Sequence, residues 1–483
     1  MKKQMYRAVW ILSAVFAVLT AGARAQNLPE SRPAVADNLA RLVEAFERAN
    51  KARVGVSVVD LRTGQPIFAH RQGEAMIPAS NQKILAAAFA LDRLGPQGVF
   101  ATAVYAAGRD IVVTGQYDPL LGDPILARRE GKSIYAELDR WAEAVRAAYG
   151  EAIPGDLILA SRSTSAGLHP PAWPVRHHGR WYGAAVADLN FHDNCFDVTF
   201  VERDGTIQPA VAPASRYIRV LSELKLQPRG RHLWRLRESP DGATLTLTGQ
   251  IRGPAADPLS TPMRDPRITL GRVLAGRLAQ AGVRVGGQLR ILPADRVNLA
   301  GARLLAKSES TLRDVLHRAN KRSLNLAAEC MLLRAGDGAW AGSARQMHDV
   351  LVERFGLDAR TLAIHDGSGL AEDNRVTSGD LAKLLAALSN GPWAEMFLAS
   401  LPRSGVDGSL KRRLREEPYR GRIAAKTGTL AGVRTLSGYV LDAGDDKKPV
   451  IAFSILANDL SSRAQGLAKS LQDQLCRELV DAR

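Results

Sequence analysis

Residues 78–94 read PASNQKILAAAFALDRL, and this stretch decides the fold. The small and apolar side chains after Ser80 have helical spacing, and Gly95-Pro96 ends the pattern, so a helix is predicted from Ser80 to the end of the stretch. Residues three apart share a helix face, so the Lys83 amine should reach the Ser80 hydroxyl. The positive end of the helix dipole would favour an alkoxide-like nucleophile at Ser80.

The segments on both sides of this helix predict one α/β (α+β) domain with an antiparallel sheet and flanking helices. The N-terminal side offers a helix at 36–51 and a hairpin with strands at 54–59 and 67–69. The C-terminal side also has a mixture of helical and strand patterns. Helical patterns lie at 311–335, 342–355, 377–389 and 461–481, and strand-like runs lie at 426–429, 436–441 and 450–456.

The middle of the chain has more proline, glycine and short alternating runs, which is typical of β-rich structure. Strands are predicted at 110–114, 155–159 and 243–248, helices near 134–148 and 272–281, and a loop at 209–213. The resulting division is one α/β domain in two parts, 26–97 and 297–483, around an inserted region, 98–296, with a second inserted domain nested near 156–220.

The first residues predict an export signal at 1–25. Lys2, Lys3 and Arg7 supply positive charge, residues 8–22 are apolar, and Ala23-Arg24-Ala25 has the pattern of a cleavage site. A membrane anchor is the alternative, but the apolar run is shorter than the ~20 residues that a spanning helix needs. We therefore expect a periplasmic or extracytoplasmic protein without stable membrane insertion after cleavage.

The formal net charge of +16 leaves two interpretations open: attraction to anionic polymers of the cell envelope, or an ordinary soluble basic surface. Export and the scattered arginines argue against nucleic acid as a partner. Only three cysteines occur, Cys195, Cys330 and Cys476, so stability should come from packing rather than disulfides. Whether any two of them pair is left open.

A lysine beside a serine can act as a base only if its pKa falls, through burial or a second nearby cation. This requirement predicts another lysine in the site, and Lys426, in Lys426-Thr427-Gly428-Thr429, is the candidate. Lys426 and the two threonine hydroxyls would bind a terminal carboxylate, and Gly428 would let the substrate backbone approach. The backbone N–H groups of Ser80 and Thr429 would form an oxyanion hole.

A third element is Ser323-Leu324-Asn325. Ser323 can relay a proton between Lys83 and a leaving amine, while Asn325 can hold Lys83 and donate to a substrate amide. Each motif alone is weak evidence. The order S-x-x-K, S-x-N, K-T-G on a helix start, a helical region and a strand is specific.

With these motifs the chain resembles the class C low-molecular-weight penicillin-binding proteins, of the D-alanyl-D-alanine carboxypeptidase/endopeptidase family. The resemblance rests on the three motifs, on the long gap from Ser80 to Ser323, and on Asp366-Gly-Ser-Gly-Leu370 and Asp407-Gly-Ser-Leu410. It implies a β-lactamase/transpeptidase-like domain that carries two inserted, mostly β domains.

The resemblance also implies a serine-type peptidase that acts on peptidoglycan stem peptides through a Ser80 acyl-enzyme and is inhibited by β-lactam antibiotics such as penicillins. No cofactor and no metal are expected. Two alternatives stay open: a β-lactamase or esterase with the same triplet, and a non-catalytic peptidoglycan-binding protein. The balance between carboxypeptidase and endopeptidase activity is also open.

Some positions depart from the family pattern. Gln116-Tyr117 stands within Gly115–Pro119 where a Gly-Gly-Asp-Pro-like string is usual, and Ala160 replaces a frequent aspartate. Some relatives carry an acidic residue soon after a tryptophan-rich string, whereas this chain reads Trp173-Pro-Val-Arg-His-His178. We therefore hypothesise a different recognition of the stem-peptide side chain. His177 and His178 themselves are interpreted as residues of a solvated loop rather than metal ligands.

Overall fold

The computed structural model describes residues 31–164, 167–203, 206–227 and 229–482, so the predicted signal at 1–25 lies outside the described residues. The helices, in chain order, are α1 Ser31–Asn50, α2 Gln82–Leu94, α3 Pro124–Glu130, α4 Ala136–Tyr149, α5 Pro266–Gln280, α6 Leu312–Lys321, α7 Asn325–Ala335, α8 Trp340–Phe355, α9 Ser378–Asn390, α10 Ala394–Ser400 and α11 Ser462–Asp481. The strands are β1 Arg53–Asp60, β2 Pro66–His70, β3 Val99–Ala107, β4 Asp110–Gly115, β5 Ala152–Ile153, β6 Leu157–Ser161, β7 Cys195–Arg203, β8 Thr206–Ala212, β9 Arg219–Leu226, β10 Leu233–Glu238, β11 Thr244–Ile251, β12 Ala255–Pro262, β13 Arg284–Val285, β14 Leu289–Pro293, β15 Arg303–Thr311, β16 Ile423–Leu430, β17 Val433–Leu441 and β18 Pro449–Asn458.

A five-stranded sheet with the order β16-β17-β18-β1-β2 joins the two ends of the chain, and all its neighbours are antiparallel. β1 pairs with β18 from Arg53–Asn458 to Asp60–Ile451. One face of the sheet packs on α1 and α11, and the other packs on the helical layer that contains α2 and α7. The predicted mixed fold, with an antiparallel sheet and flanking helices, is confirmed.

The α2 helix lies at the centre of the helical layer. Every residue from Gln82 to Leu91 is buried, and most of these side chains are alanine or other apolar residues. Small side chains let neighbouring helices approach closely, and α2 packs against α7 and α8. The alanine-rich stretch that follows Ser80 therefore buries this helix in the core.

The middle of the chain forms a second five-stranded sheet, with the order β14-β6-β4-β3-β15 and both parallel and antiparallel neighbours. Helices α4 and α5 bury Trp141 and Leu274 against it. Two three-stranded sheets accompany it, β12-β7-β8 and β10-β11-β9. Strand β15 belongs to this sheet although it lies after residue 296, and the predicted domain boundaries stay a prediction.

Some local predictions are wrong. The helical stretch at 311–335 is two helices, because Ser323 has a φ of 58° between α6 and α7. The segment 209–213 is not a loop, since β8 continues to Ala212. β8 is an edge strand of its sheet, the position where proline is tolerated within a sheet. Helix α3, capped by Asp123, was not predicted.

Cys195, Cys330 and Cys476 are buried and form no disulfide, so packing stabilises the fold at these positions. Within the described ranges, no helix has the length and apolar character needed to cross a membrane.

Candidate active site

A cleft of about 530 Å³ opens between the end of β16, the α6–α7 junction and the turn before α2. The predicted site residues come together here. Those that line the cleft are Ser80, Ser323, Asn325, Thr427 and Thr429. Lys83 and Lys426 lie behind this surface with no exposed area, so solvent does not reach either amine.

Ser80 lies in a single 3₁₀ turn, Ala79–Asn81, and the α-helix begins at Gln82. Ala79 has a φ of 45°, a strained conformation for a residue with a side chain. Asn81 Nδ2 donates to the Lys426 carbonyl (3.2 Å), and Gln82 Nε2 donates to the Asp366 carbonyl (3.1 Å). The two middle residues of the motif, Asn81 and Gln82, therefore hold the Ser80 turn between β16 and the 366–370 loop, a role that the sequence analysis missed.

Lys83 Nζ has three hydrogen-bond partners: Asn325 Oδ1 at 2.6 Å, the Ser368 carbonyl at 2.8 Å and Ser80 Oγ at 3.2 Å. A neutral amine has two protons to donate and one lone pair, so it can donate to the first two oxygens and accept the Ser80 proton. Burial lowers the pKa of Lys83 to about 8, although the nearby carboxyl groups of Asp366 and Glu329 oppose this. The site can thus hold a neutral base at moderately alkaline pH.

Glu329 supports the loop that holds Lys83. Its carboxyl oxygens accept the backbone N–H groups of Gly367 (2.9 Å) and Ser368 (2.8 Å). Burial raises the pKa of Glu329 to about 8. Asp366 fixes the other side of the same loop by accepting N–H bonds from Gly369, Leu370 and Ala371. The two carboxyl groups together aim the Ser368 carbonyl at Lys83.

Lys426 Nζ donates to Ser323 Oγ at 2.9 Å and to the Thr427 carbonyl at 2.8 Å. Burial, and then the charge of Lys83, lower the pKa of Lys426 well below its usual value. The second lysine that the sequence predicts is therefore present in the site. Burial is the largest cause of the lowered pKa of both amines.

Ser323 occupies the space between the two other motifs. Its Oγ donates to Ser80 Oγ at 3.3 Å and accepts from Lys426. Asn325 accepts from Lys83, as predicted, and its Nδ2 donates to the Tyr182 carbonyl at 2.7 Å. A contact between Asn325 and a substrate amide stays a prediction. The polar groups form one chain from Lys426 through Ser323 and Ser80 to Lys83.

Gly428 is needed for packing. A Cβ there would lie 2.0 Å from Thr435 Oγ1 and 3.0 Å from the Ser80 backbone nitrogen, so only glycine lets β16 approach the Ser80 turn. Thr427 Oγ1 bonds Ser409 Oγ at 2.8 Å, and Thr429 is exposed at the cleft. A side chain at position 428 would thus point into the protein rather than into the cleft. Contact of Gly428 with substrate stays a prediction.

One wall of the cleft was missed by the sequence analysis. His177, Trp181 and Tyr182 line it. His177 is half-buried at this surface, and its interpretation as a residue of a solvated loop stays a prediction. His177 Nδ1 lies 3.3 Å from the Tyr182 hydroxyl. These residues come from a loop region with no helix or strand periodicity, and the aromatic pair Trp181-Tyr182 is the only sequence signal that marked them. Among the described residues no group of histidine, cysteine and carboxylate side chains is placed to hold a metal ion.

The fold and the site together are those of a serine-type peptidase, with the buried Lys83 beside Ser80 and the buried Lys426 beside Ser323. Residues 35–479 match the model of the D-Ala-D-Ala carboxypeptidase 3 (S13) family. The chain belongs to this family, which confirms the resemblance noted from the motifs.

Relatives along nearly the whole chain have related names. A D-alanyl-D-alanine carboxypeptidase of Actinomadura sp. (strain R39) is 31% identical over 452 residues, which cover 88% of this chain and 81% of the relative. The D-alanyl-D-alanine carboxypeptidase DacB of Haemophilus influenzae is 24% identical, with 86% of this chain and 88% of the relative covered.

Solved structures share the architecture. Penicillin binding protein 4 (dacB) of Haemophilus influenzae superposes with a TM-score of 0.74 at 20% identity, over 91% of this chain and 99% of that chain. Bd3459, a predatory peptidoglycan endopeptidase of Bdellovibrio bacteriovorus, has a TM-score of 0.53 at 14% identity, over 89% and 93% of the two chains. At these identities the likeness concerns the fold.

Proposed function

We propose that this chain is a serine D-alanyl-D-alanine carboxypeptidase that acts on peptidoglycan stem peptides through an acyl-enzyme on Ser80. One observation carries the proposal. The Lys83 amine is buried, has two fixed acceptors for its protons, and directs its remaining position at Ser80 Oγ. This is the arrangement that a lysine general base requires.

In the proposed reaction Lys83 takes the Ser80 proton, and Oγ attacks the carbonyl carbon of the penultimate D-alanine. The N–H groups of Ser80 and Thr429 stabilise the oxyanion. The C–N bond then breaks, and the proton held on Lys83 returns to the leaving amine through Ser323, whose Oγ is 3.3 Å from Ser80 Oγ. Water hydrolyses the ester and regenerates Ser80.

The terminal carboxylate of the substrate would bind at the end of β16, between Lys426, Thr427 and Thr429. The Lys426 amine lies behind the threonines, and Thr427 and Thr429 line the cleft. A bound carboxylate would favour the protonated form of that amine, and the N–H and O–H donors would then bind it in preference to a neutral group. The carboxylate of a penicillin would take the same place, so β-lactams should acylate Ser80.

Cleavage of cross-links between stem peptides follows the same chemistry, because both reactions break a bond after D-alanine. We propose that the inserted region, 98–296, sets access to the cleft through the wall formed by His177, Trp181 and Tyr182. We further propose export to the periplasm or another extracytoplasmic space, where peptidoglycan is found, after removal of residues 1–25.

Digestion of purified peptidoglycan tests the proposal. Wild-type protein and the Ser80→Ala variant are incubated with muropeptides that end in D-alanyl-D-alanine. The products are separated and identified by mass spectrometry. We expect free D-alanine and shortened stem peptides with the wild type only. Intact muropeptides with both proteins, and no β-lactam bound, would favour a non-catalytic binding protein; rapid penicillin turnover without peptide cleavage would favour a β-lactamase.

A further inference from the structure

Arg318 is a buried arginine outside the cleft, on α6, with 2% of its surface exposed. Its guanidinium lies between two carboxyl groups of the middle region. Nε bonds Asp123 Oδ2, and an Nη atom donates to Asp193 Oδ2 at 2.8 Å. A guanidinium that is buried and shared by two carboxyl groups holds the elements that carry them at a fixed distance and angle.

The two carboxyl groups are themselves held rigidly. Asp123 is the N-cap of α3, and its other oxygen accepts the Ile125 and Leu126 N–H groups at 2.8 Å. Asp193 lies in a run of three residues with positive φ, from 56° at His192 through 53° to 54° at Asn194. Consecutive left-handed residues with side chains are strained, and such strain persists only where the surroundings fix it.

The position of Asp193 is costly in a second way. Its carboxyl group is buried beside Asp123, so two carboxyl groups share one guanidinium. Burial, and then the charge of Asp123, raise the pKa of Asp193. The strained backbone and the buried carboxyl group both act against folding, and the charge-assisted bond to Arg318 offsets part of that cost.

Arg318 lies directly before the α6–α7 junction. Its carbonyl accepts the Leu324 N–H at 3.3 Å, and Ser323 stands between these two residues with its φ of 58°. The neighbouring residues of α6 are tied to other elements: Asn320 to Ser400 at 2.8 Å, and Lys321 to Asp407 at 2.6 Å. Arg318 therefore ties the α6 side of this junction to the middle region, while Asn325 ties the α7 side to it through the Tyr182 carbonyl.

We propose that Arg318 is a positioning residue, which holds Ser323 between Ser80 and Lys426 by fixing the end of α6 to Asp123 and Asp193. The proposal rests on the proposed function, in which Ser323 returns the proton to the leaving amine. Misplacement of Ser323 should slow a reaction whose leaving group needs that proton. It should have little effect when the leaving group departs without one.

The test compares an acyl-D-alanyl-D-alanine peptide with its thioester analogue, whose thiolate leaves without protonation. In Arg318→Met we expect kcat for the peptide to fall about 10- to 100-fold, as small misplacements of reacting groups do. For the thioester we expect kcat to fall less than about threefold, because its leaving group does not need the proton from Ser323. Ser323→Ala should shift the peptide-to-thioester ratio in the same direction, and Arg318→Lys should restore part of it.

Arg267→Met is the matched control, because Arg267 is equally buried and paired with Asp265 but belongs to α5. It should leave the ratio unchanged. If Arg318→Met does not fold, Asp193→Ala serves instead, since it leaves Arg318 paired with Asp123. The same shift, smaller in size, is expected from it.

An unchanged ratio in folded Arg318→Met or Asp193→Ala, or an equal shift in Arg267→Met, would overturn the proposal. These outcomes are distinct from failure of the proposed function. If the proposed function were wrong, the wild-type chain would hydrolyse neither substrate. The proposed role of Arg318 would then be wrong as well.

Discussion

Lys83 Nζ lies 3.2 Å from Ser80 Oγ, and its two other partners, Asn325 Oδ1 and the Ser368 carbonyl, are both oxygen acceptors. The amine is therefore oriented by groups that take its protons, which leaves its lone pair for the serine. Burial supplies the lowered pKa that a base needs.

Acylation should depend on pH through Lys83. The pKa of Lys83 is lowered to about 8, so the reactive neutral amine is the minor form below this pH and the major form above it. The rate constant for acylation by a fluorescent penicillin should rise about tenfold per pH unit up to pH 8 and then level off. Stopped-flow measurement between pH 5.5 and 9 checks this, and a flat profile in folded protein would contradict it.

Glu329→Gln should disturb the loop that holds Lys83. The glutamine keeps one acceptor oxygen but turns an N–H₂ group toward a buried backbone N–H. We expect a loss of about 1–3 kcal/mol in the free energy of unfolding. Slower acylation should accompany it, because the Ser368 carbonyl loses its support. Urea unfolding measures the first effect; Glu353→Gln, at an exposed position of α8, is the control and should change neither quantity.

Gly369→Ala should displace the turn Ala79–Asn81, which carries Ser80. A Cβ there would lie 1.8 Å from the Ala79 carbonyl oxygen, and the residue has a φ of +83°. We expect a loss of about 3 kcal/mol or more in stability. Gly64 has a similar φ of +70° but free space around it, so Gly64→Ala separates backbone strain from collision. Equal losses in the two variants would show that Ala79 is not displaced.

The side chain of the stem peptide should be recognised without a strong requirement for a free amine. None of the described residues that line the cleft is an aspartate or glutamate, and nearby Arg176 is paired with Glu372. Stem peptides with free and acetylated side-chain amines should differ in kcat/KM by less than about threefold, under ~0.7 kcal/mol. A large preference for the free amine would refute this.

The sequence predicts the parts of the site that depend on spacing along one element. Ser80 and Lys83 are neighbours because they lie three residues apart at the start of a helix, and periodicity places that helix. It also predicts most helices to within a few residues. The left-handed φ of Ser323 has no such signal, since it results from contacts of the α6–α7 junction with distant residues such as Ser80 and Lys426.

Other features depend on contacts between segments far apart in the chain. Gln82 and Asn81 look like ordinary polar residues of a helix start, and only the folded chain shows that they hold the Asp366 and Lys426 carbonyls. The same holds for Glu329, which reads as one polar residue in an apolar helix. Its two backbone partners belong to a loop that sequence periodicity does not place.

The most direct test of the account is to find which atom a penicillin modifies. The protein is incubated with benzylpenicillin, its intact mass is measured, and the modified peptide is identified after digestion. We predict one adduct, on the peptide that contains Ser80, and none in a folded Ser80→Ala variant. An adduct on another residue, such as Ser368, or an adduct that persists in Ser80→Ala, would contradict the assignment of Ser80 as the nucleophile.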